Sequence, residues 1–113
     1  MPQLLSRLSC VIAINTSLSA AVALHGARVS EIEMPAAWDA AILTFQASND
    51  NSTFFNVVDD TGNEYFIVAV AGQRIHINSD YISQMAYLKI RSGSSLTAVS
   101  QTAARTIYME FWQ

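Results

Sequence analysis

Short apolar runs separated by turn residues are the feature that most constrains this 113-residue chain. In residues 42–47, Leu43, Phe45 and Ala47 alternate with polar residues, the period-two pattern of a strand with one buried face. Such runs recur roughly every 8–12 residues, and no long amphipathic helices alternate with them. The pattern predicts an all-β fold, an antiparallel β-sandwich.

The turn residues also fix where the elements are predicted to begin and end. Pro35 is predicted to open one short helical turn over residues 36–41, since proline is favoured at the first helical position. Residues 78–80 are predicted to cap a second one, over residues 81–85. The predicted strands are residues 10–14, 18–24, 27–34, 42–47, 54–58, 64–70, 74–77, 87–91 and 105–112.

Residues 1–9 differ from the rest because Leu4, Leu5 and Leu8 have helical rather than strand spacing. A helix this short is unstable alone, so we expect an N-terminal arm that lies against another surface. Residues 10–113 are then a single β-sandwich domain.

Charge is scarce in this chain: 51% of the residues are apolar and 13% are charged, against about a quarter in average domains. This predicts a surface partly covered by other copies of the chain or by another partner. The net charge of −3 and the six scattered Lys and Arg residues argue against nucleic acid as a partner.

The apolar runs are too short to span a bilayer, and Asn15 interrupts the one that resembles a secretion signal. We therefore expect a soluble, unprocessed chain with no membrane partner. Cys10 is the only cysteine, which excludes an intrachain disulfide and a thiolate zinc site. We expect it to be a buried strand thiol.

Two acidic stretches, residues 49–51 and 59–64, have the composition of a calcium loop without its regular ligand spacing. Because Asn, Asp and Gly are also what tight turns require, we expect plain hairpin turns. His25 and His76 have no evident third ligand. No phosphate loop or nucleophile elbow occurs, so we expect no metal, no cofactor and no catalytic activity.

Phe54 and Phe55 are adjacent, so in a strand they face opposite sides of the sheet. One is expected in the core, and the other under a second sheet, a neighbouring subunit or a ligand. The same reasoning applies to Phe111 and Trp112. The candidate interface residues are Leu4, Leu5, Leu8, Phe54, Phe55 and Trp112.

Three stretches carry a resemblance to a known family: MPAAWDAAILTFQASNDNSTFFNVVDDTGNEYFI, YLKIRSGS and QTAARTIYMEF. The chain from about residue 10 to residue 111 resembles small virion structural proteins of tailed bacteriophages and prophages. It is also similar to discoidin-like, galactose-binding jelly rolls, in which residues 49–52 would be a hairpin tip.

The resemblance implies a capsid cement or decoration protein, made in the host cytoplasm, that binds the major capsid protein on the outer surface of the head. Such proteins are often trimers, so a homotrimer is favoured over a dimer. Two alternatives stay open. One is a carbohydrate-binding module of a tail fibre or head surface, using Phe54 or Phe55 with Asn49 and Asp50. The other is a tail or baseplate adaptor subunit.

Overall fold

The computed structural model describes residues 5–78, 82 and 85–112. Within these residues the chain has eight β-strands and no helix. At residues 5, 6 and 112 it describes the backbone alone. The all-β prediction is confirmed. The strands are β1 (Leu5–Ile12), β2 (Val22–Ala23), β3 (Arg28–Glu33), β4 (Leu43–Ser48), β5 (Phe55–Asn56), β6 (Arg74–His76), β7 (Tyr87–Ser92) and β8 (Arg105–Trp112).

The strands form two four-stranded antiparallel sheets. Sheet A has the order β1-β8-β3-β6, and sheet B has the order β2-β7-β4-β5. The pairs β1 with β8, β2 with β7, β3 with β6, and β4 with β5 are nested inside one another. The chain is thus one long hairpin, with its tip between β4 and β5, rolled into a sandwich. This is a jelly roll, as the resemblance implied.

Alternate residues of the central strands of both sheets form the core. Leu43 and Phe45 of β4 and Ile107 and Met109 of β8 are fully buried in one cluster. The Phe45 ring also stacks on Tyr65, with ring centroids 5.8 Å apart. Each such side chain contributes about 1.5–3 kcal/mol by leaving water. The period-two pattern therefore predicted the buried face of β4 correctly.

Strand β1 begins at Leu5 rather than at Cys10, where the sequence pattern placed the first strand. Its backbone is paired with β8 in one continuous register that starts with Leu5 opposite Trp112. Residues 5–9 of the predicted arm therefore lie in the edge strand of sheet A. The backbone hydrogen bonds and side-chain contacts along β8 stabilise this short segment as a strand more than its weak helical preference stabilises a helix. Leu4 lies outside the described residues.

The helical turn predicted after Pro35, over residues 36–41, is wrong: these residues form an irregular loop. The Asp39 N–H donates to Gln101 Oε1 at 2.9 Å, and the Asp39 carbonyl accepts from Gln101 Nε2 at 3.0 Å. Gln101 lies in the connection between β7 and β8, and its side chain binds both the N–H and the carbonyl of Asp39. These two groups are therefore not available for the hydrogen bonds of a helical turn. The second predicted turn, residues 81–85, lies outside the described residues apart from 82 and 85.

Residues 64–70, predicted as a strand, have no continuous ladder, although exposed and buried side chains alternate from Phe66 to Val70 as they do along an extended chain. Ile67 exchanges two backbone hydrogen bonds with Leu43, both 2.9 Å long. An excursion over residues 58–64 separates this stretch from β5, so the two do not form one regular strand. We call residues 65–70 the edge segment, since they extend the free edge of sheet B along β4.

Candidate functional site

The hairpin tip between β4 and β5 is held by its own side chains. Ser48 Oγ accepts the N–H groups of Asp50 and Asn51 at 3.1 and 3.0 Å. Asp50 Oδ1 accepts the N–H groups of Thr53 and Ser52, both at 2.9 Å, and these bonds lower the pKa of the Asp50 carboxyl. With Asn51 at a φ of 60°, the tip is the plain turn that the sequence predicted.

A groove of about 510 Å³ lies beside this tip, and we call it the hairpin groove. Ala47, Val57 and Met85 give it apolar walls, and Val57 belongs to the core. The Phe55 ring, 70% exposed, stands among polar side chains. The lining residues are Ala47, Ser48, Asn49, Asp50, Thr53, Phe55, Asn56, Val57, Val58 and Met85.

Phe54 and Phe55 lie on opposite sides of the sheet, as the sequence predicted. Phe55 is opposite Ala47, on the side that faces the sandwich interior. The Phe54 ring lies under the Lys89 ammonium, with Nζ 4.2 Å from the ring centroid. The prediction that one of the pair is a core residue is wrong, because β5 lies at the open hairpin groove. Val57 takes the buried position instead.

The turn over residues 59–63 is built in the same way as the hairpin tip. Asp59 Oδ1 accepts from the Thr61 hydroxyl at 2.7 Å and from the Asn63 N–H at 3.0 Å. The first of these bonds is the main reason that the pKa of Asp59 is lowered. Within the described ranges, no group of three His, Cys, Asp or Glu residues is arranged to hold a metal ion.

A buried arginine fixes the start of the edge segment. Arg91 Nη1 lies 3.2 Å from Glu64 Oε2, and Arg91 Nη2 donates to Asn56 Oδ1 at 2.8 Å. Glu64 Oε1 accepts the Ser95 N–H at 3.0 Å, which joins the loop before Leu96 to the same carboxylate. Glu64 thereby ties residues 94–97 to the edge of sheet B.

The edge segment itself presents a row of apolar side chains to solvent. Phe66, Val68 and Val70 are 54%, 68% and 49% exposed, while the intervening Ile67 and Ala69 are buried. Side chains two residues apart on an extended chain are neighbours on one face. The row is therefore continuous, which makes it a candidate interaction surface.

Five charged side chains form a cluster on the outer face of sheet A. Arg7 contacts Glu33 at 2.7 Å and Glu110 at 3.2 Å. Arg74 contacts Glu31 at 2.7 Å and Glu33 at 2.8 Å, and it also pairs with Glu110. Sequence reasoning missed this cluster because its members are brought together only by the pairing of β1, β8, β3 and β6. The cluster joins all four strands and leaves little uncompensated charge.

The predicted interface residues are spread over the molecule rather than brought together. Leu8 packs against the core of its own sandwich. The backbones of Leu5 and Trp112 are opposite one another in sheet A, and their side chains lie outside the description. Phe55 lies in β5, at the edge of sheet B, and Phe54 comes directly before that strand. Phe66, Val68 and Val70 were not singled out, because residues 65–70 are apolar throughout and their pattern does not show which side chains are exposed.

Comparison with known proteins identifies a similar fold. No family model and no curated protein matches the sequence. Among solved structures, the chain is similar to the crystal structure of SPBc2 prophage-derived protein YomS, with a TM-score of 0.53. The match covers 100% of this chain and 98% of that one at 11% sequence identity, and it therefore concerns the fold. In the described part of the chain, no helix is long and apolar enough to cross a membrane.

Proposed function

We propose that this protein is a structural component of a bacteriophage virion, and more specifically a capsid cement or decoration protein. It would bind the major capsid protein on the outer surface of the head as a homo-oligomer. In this proposal it acts by binding alone, without a catalytic step, a cofactor or nucleic acid, and it reaches the particle from the host cytoplasm.

The observation that carries the proposal is the match to a prophage-derived protein over nearly the full length of both chains. Two further observations support it. Jelly rolls occur in viral capsid proteins, although the same fold also serves lectins, so the fold alone does not decide. The exposed apolar row of the edge segment, on a chain with 13% charged residues, suits a protein that is covered in an assembly.

Counting copies in purified particles tests this proposal. Quantitative mass spectrometry of phage particles encoding this chain should find it at a ratio to the major capsid protein that corresponds to hundreds of copies. A few copies per particle would instead indicate the tail or baseplate adaptor. Particles that lack the protein altogether would overturn a virion role.

A glycan-binding module is the second candidate, and the hairpin groove favours it. The structure brings together Phe55, Asn49 and Asp50, the residues that this alternative named from the sequence. An exposed ring beside side chains that can form hydrogen bonds is a common sugar platform. Asp50 Oδ1 is already occupied by loop N–H groups and Asn56 Oδ1 by Arg91, which leaves Asn49 as the better sugar contact.

A glycan array with the wild-type protein and Phe55→Ala separates the two candidates. If the groove binds sugar, the wild type should retain a defined set of glycans and Phe55→Ala should lose it. Leu96→Ala, which truncates a fully exposed side chain outside the groove, is the matched control. Binding that survives Phe55→Ala, or no binding at all, would exclude a glycan site in this groove.

A further inference from the structure

The free edge of sheet B has unpaired backbone groups that all point away from the sheet. Ile67 directs its N–H and C=O to Leu43 of β4. In an extended chain, the peptide groups of Phe66 and Val68 therefore point to the opposite side. Within the described residues, these four groups and the Val70 N–H have no hydrogen-bond partner.

The other sheet edges are short or charged, as edges that avoid pairing usually are. Strand β2 has two residues, and β6 has three, including Arg74 and His76. Strand β1 carries Arg7, and its Val11 carbonyl accepts the Ala20 N–H at 3.4 Å. The edge segment has no charge, no proline and no covering strand among the described residues. It is the edge best suited to accept another strand.

We propose that the edge segment pairs antiparallel with the edge segment of a second copy of this chain, about a two-fold axis at Val68. Val68 of one copy would lie opposite Val68 of the other, and Phe66 opposite Val70. This register places the outward N–H and C=O groups of both copies against one another as ladder pairs. The two B sheets then join into one continuous sheet.

The side chains of the edge segment favour a second copy of this chain as the strand that pairs with it. Opposite residues in an antiparallel pair share a face, so Phe66 meets a β-branched valine from the other copy, a favourable cross-strand pair. The apolar rows of both copies are then adjacent on the outer face, and no charged side chain of this segment is buried. Leu96, 96% exposed, lies on the loop that Ser95 fastens to Glu64.

The pairing gives a dimer rather than the trimer that the phage resemblance implies, and it does not depend on the proposed virion role. An edge of this length buries less than a standard interface, so we expect a dissociation constant in the micromolar range. A protein that is monomeric in solution yet present in particles would overturn the pairing and leave the virion role intact.

Sedimentation equilibrium over a range of micromolar concentrations tests the pairing. Val68→Lys places two like charges opposite each other, and Val68→Pro removes an outward N–H that the sheet does not use. Both should fold, as circular dichroism will check, and should weaken the dimer at least about tenfold. Ile14→Lys, at an exposed site in the turn after β1, is the matched control and should dimerise like the wild type.

Amide hydrogen exchange on the wild-type protein gives a readout that does not depend on variants. The amides of Phe66, Val68 and Val70 should become protected as concentration rises, whereas the Ile67 amide, bonded to Leu43, should be protected throughout. A wild-type monomer at high concentration, a trimer, or protection that does not depend on concentration would each overturn the proposal. So would a dimer that both Val68 variants leave unchanged.

Discussion

Replacing Gln101 with leucine tests how strongly one buried amide holds the loop before β4 against the chain before β8. Gln101 is fully buried, and its side chain makes four hydrogen bonds. Oε1 accepts from the Asp39 N–H at 2.9 Å and from Arg105 Nε at 3.1 Å. Nε2 donates to the Asp39 carbonyl at 3.0 Å and to Ser92 Oγ at 2.7 Å.

Leucine has a similar size but replaces none of these bonds. The Ser92 hydroxyl is fully buried and cannot turn to water, whereas Arg105 and the Asp39 loop are partly exposed. A buried polar group left without a partner costs about 1–3 kcal/mol, and a half-exposed one costs less. We therefore expect Gln101→Leu to lower the free energy of unfolding by about 3 kcal/mol, a large part of the roughly 5–15 kcal/mol that domains possess.

Urea unfolding followed by tryptophan fluorescence measures this loss of stability. Trp38 serves as a probe because it directly precedes Asp39 in the affected loop. The midpoint should fall while the m-value stays constant. Gln46→Leu makes the same change at a half-buried site, where the side chain has one 3.5 Å bond to Asn56, and should cost under about 0.5 kcal/mol. If Gln101→Leu were as stable as Gln46→Leu, the buried amide would not hold the loop in place.

Three further predictions follow from single residues. Gly93→Ala should lower stability by about 3 kcal/mol or more in urea unfolding, since its φ is 89° and the new Cβ would lie 2.5 Å from a backbone carbonyl oxygen. Gly62→Ala, at a φ of 87° with open space around it, should cost only about 1 kcal/mol, and equal losses would disprove the steric argument. The Thr102 N–H lowers the pKa of Asp39, so this carboxyl adds stability above its unfolded pKa of about 3.9 and loses it as pH falls through the folded value. Melting temperatures should therefore fall below about pH 4, and less steeply in Asp39→Asn; an identical acid slope would contradict this. Burial raises the pKa of the Cys10 thiol, so a thiol reagent should label it only as fast as the chain unfolds, and immediate labelling of the native protein would show that it is accessible.

The sequence predicted those parts of the fold that depend on local patterns. Alternation in residues 42–47 marked the buried face of β4, and the polar residues after Ser48 marked the hairpin tip. It failed where a distant partner overrides local preference. The leucines of residues 5–9 have helical spacing but pair with β8, and the loop after Pro35 is held by Gln101. A single sequence does not show which distant strand or side chain comes close.

The candidate site was also predictable from the sequence only in those parts that are local. Asn49, Asp50 and Phe55 are close in sequence, so their meeting in one groove could be anticipated. The charge cluster could not, because it needs the register of four strands whose members span residues 7 to 110. The edge segment was recognised as strand-like. The strand order was needed to show that, among the described residues, no further strand pairs with its outer edge.

The nesting of the strand pairs also sets an order in which this molecule can fold. The pair β4–β5 closes a short loop, whereas β1–β8 joins residues near the two ends of the chain and closes nearly all of it. Contacts between residues so distant in sequence slow folding, because their loop entropy is lost before they stabilise anything. We expect the roll to form from the hairpin tip outwards, in milliseconds to seconds. On the ribosome, β1 has no neighbour in sheet A until β8 has been made, and β3 has only β6, so a chaperone would most usefully act in that interval.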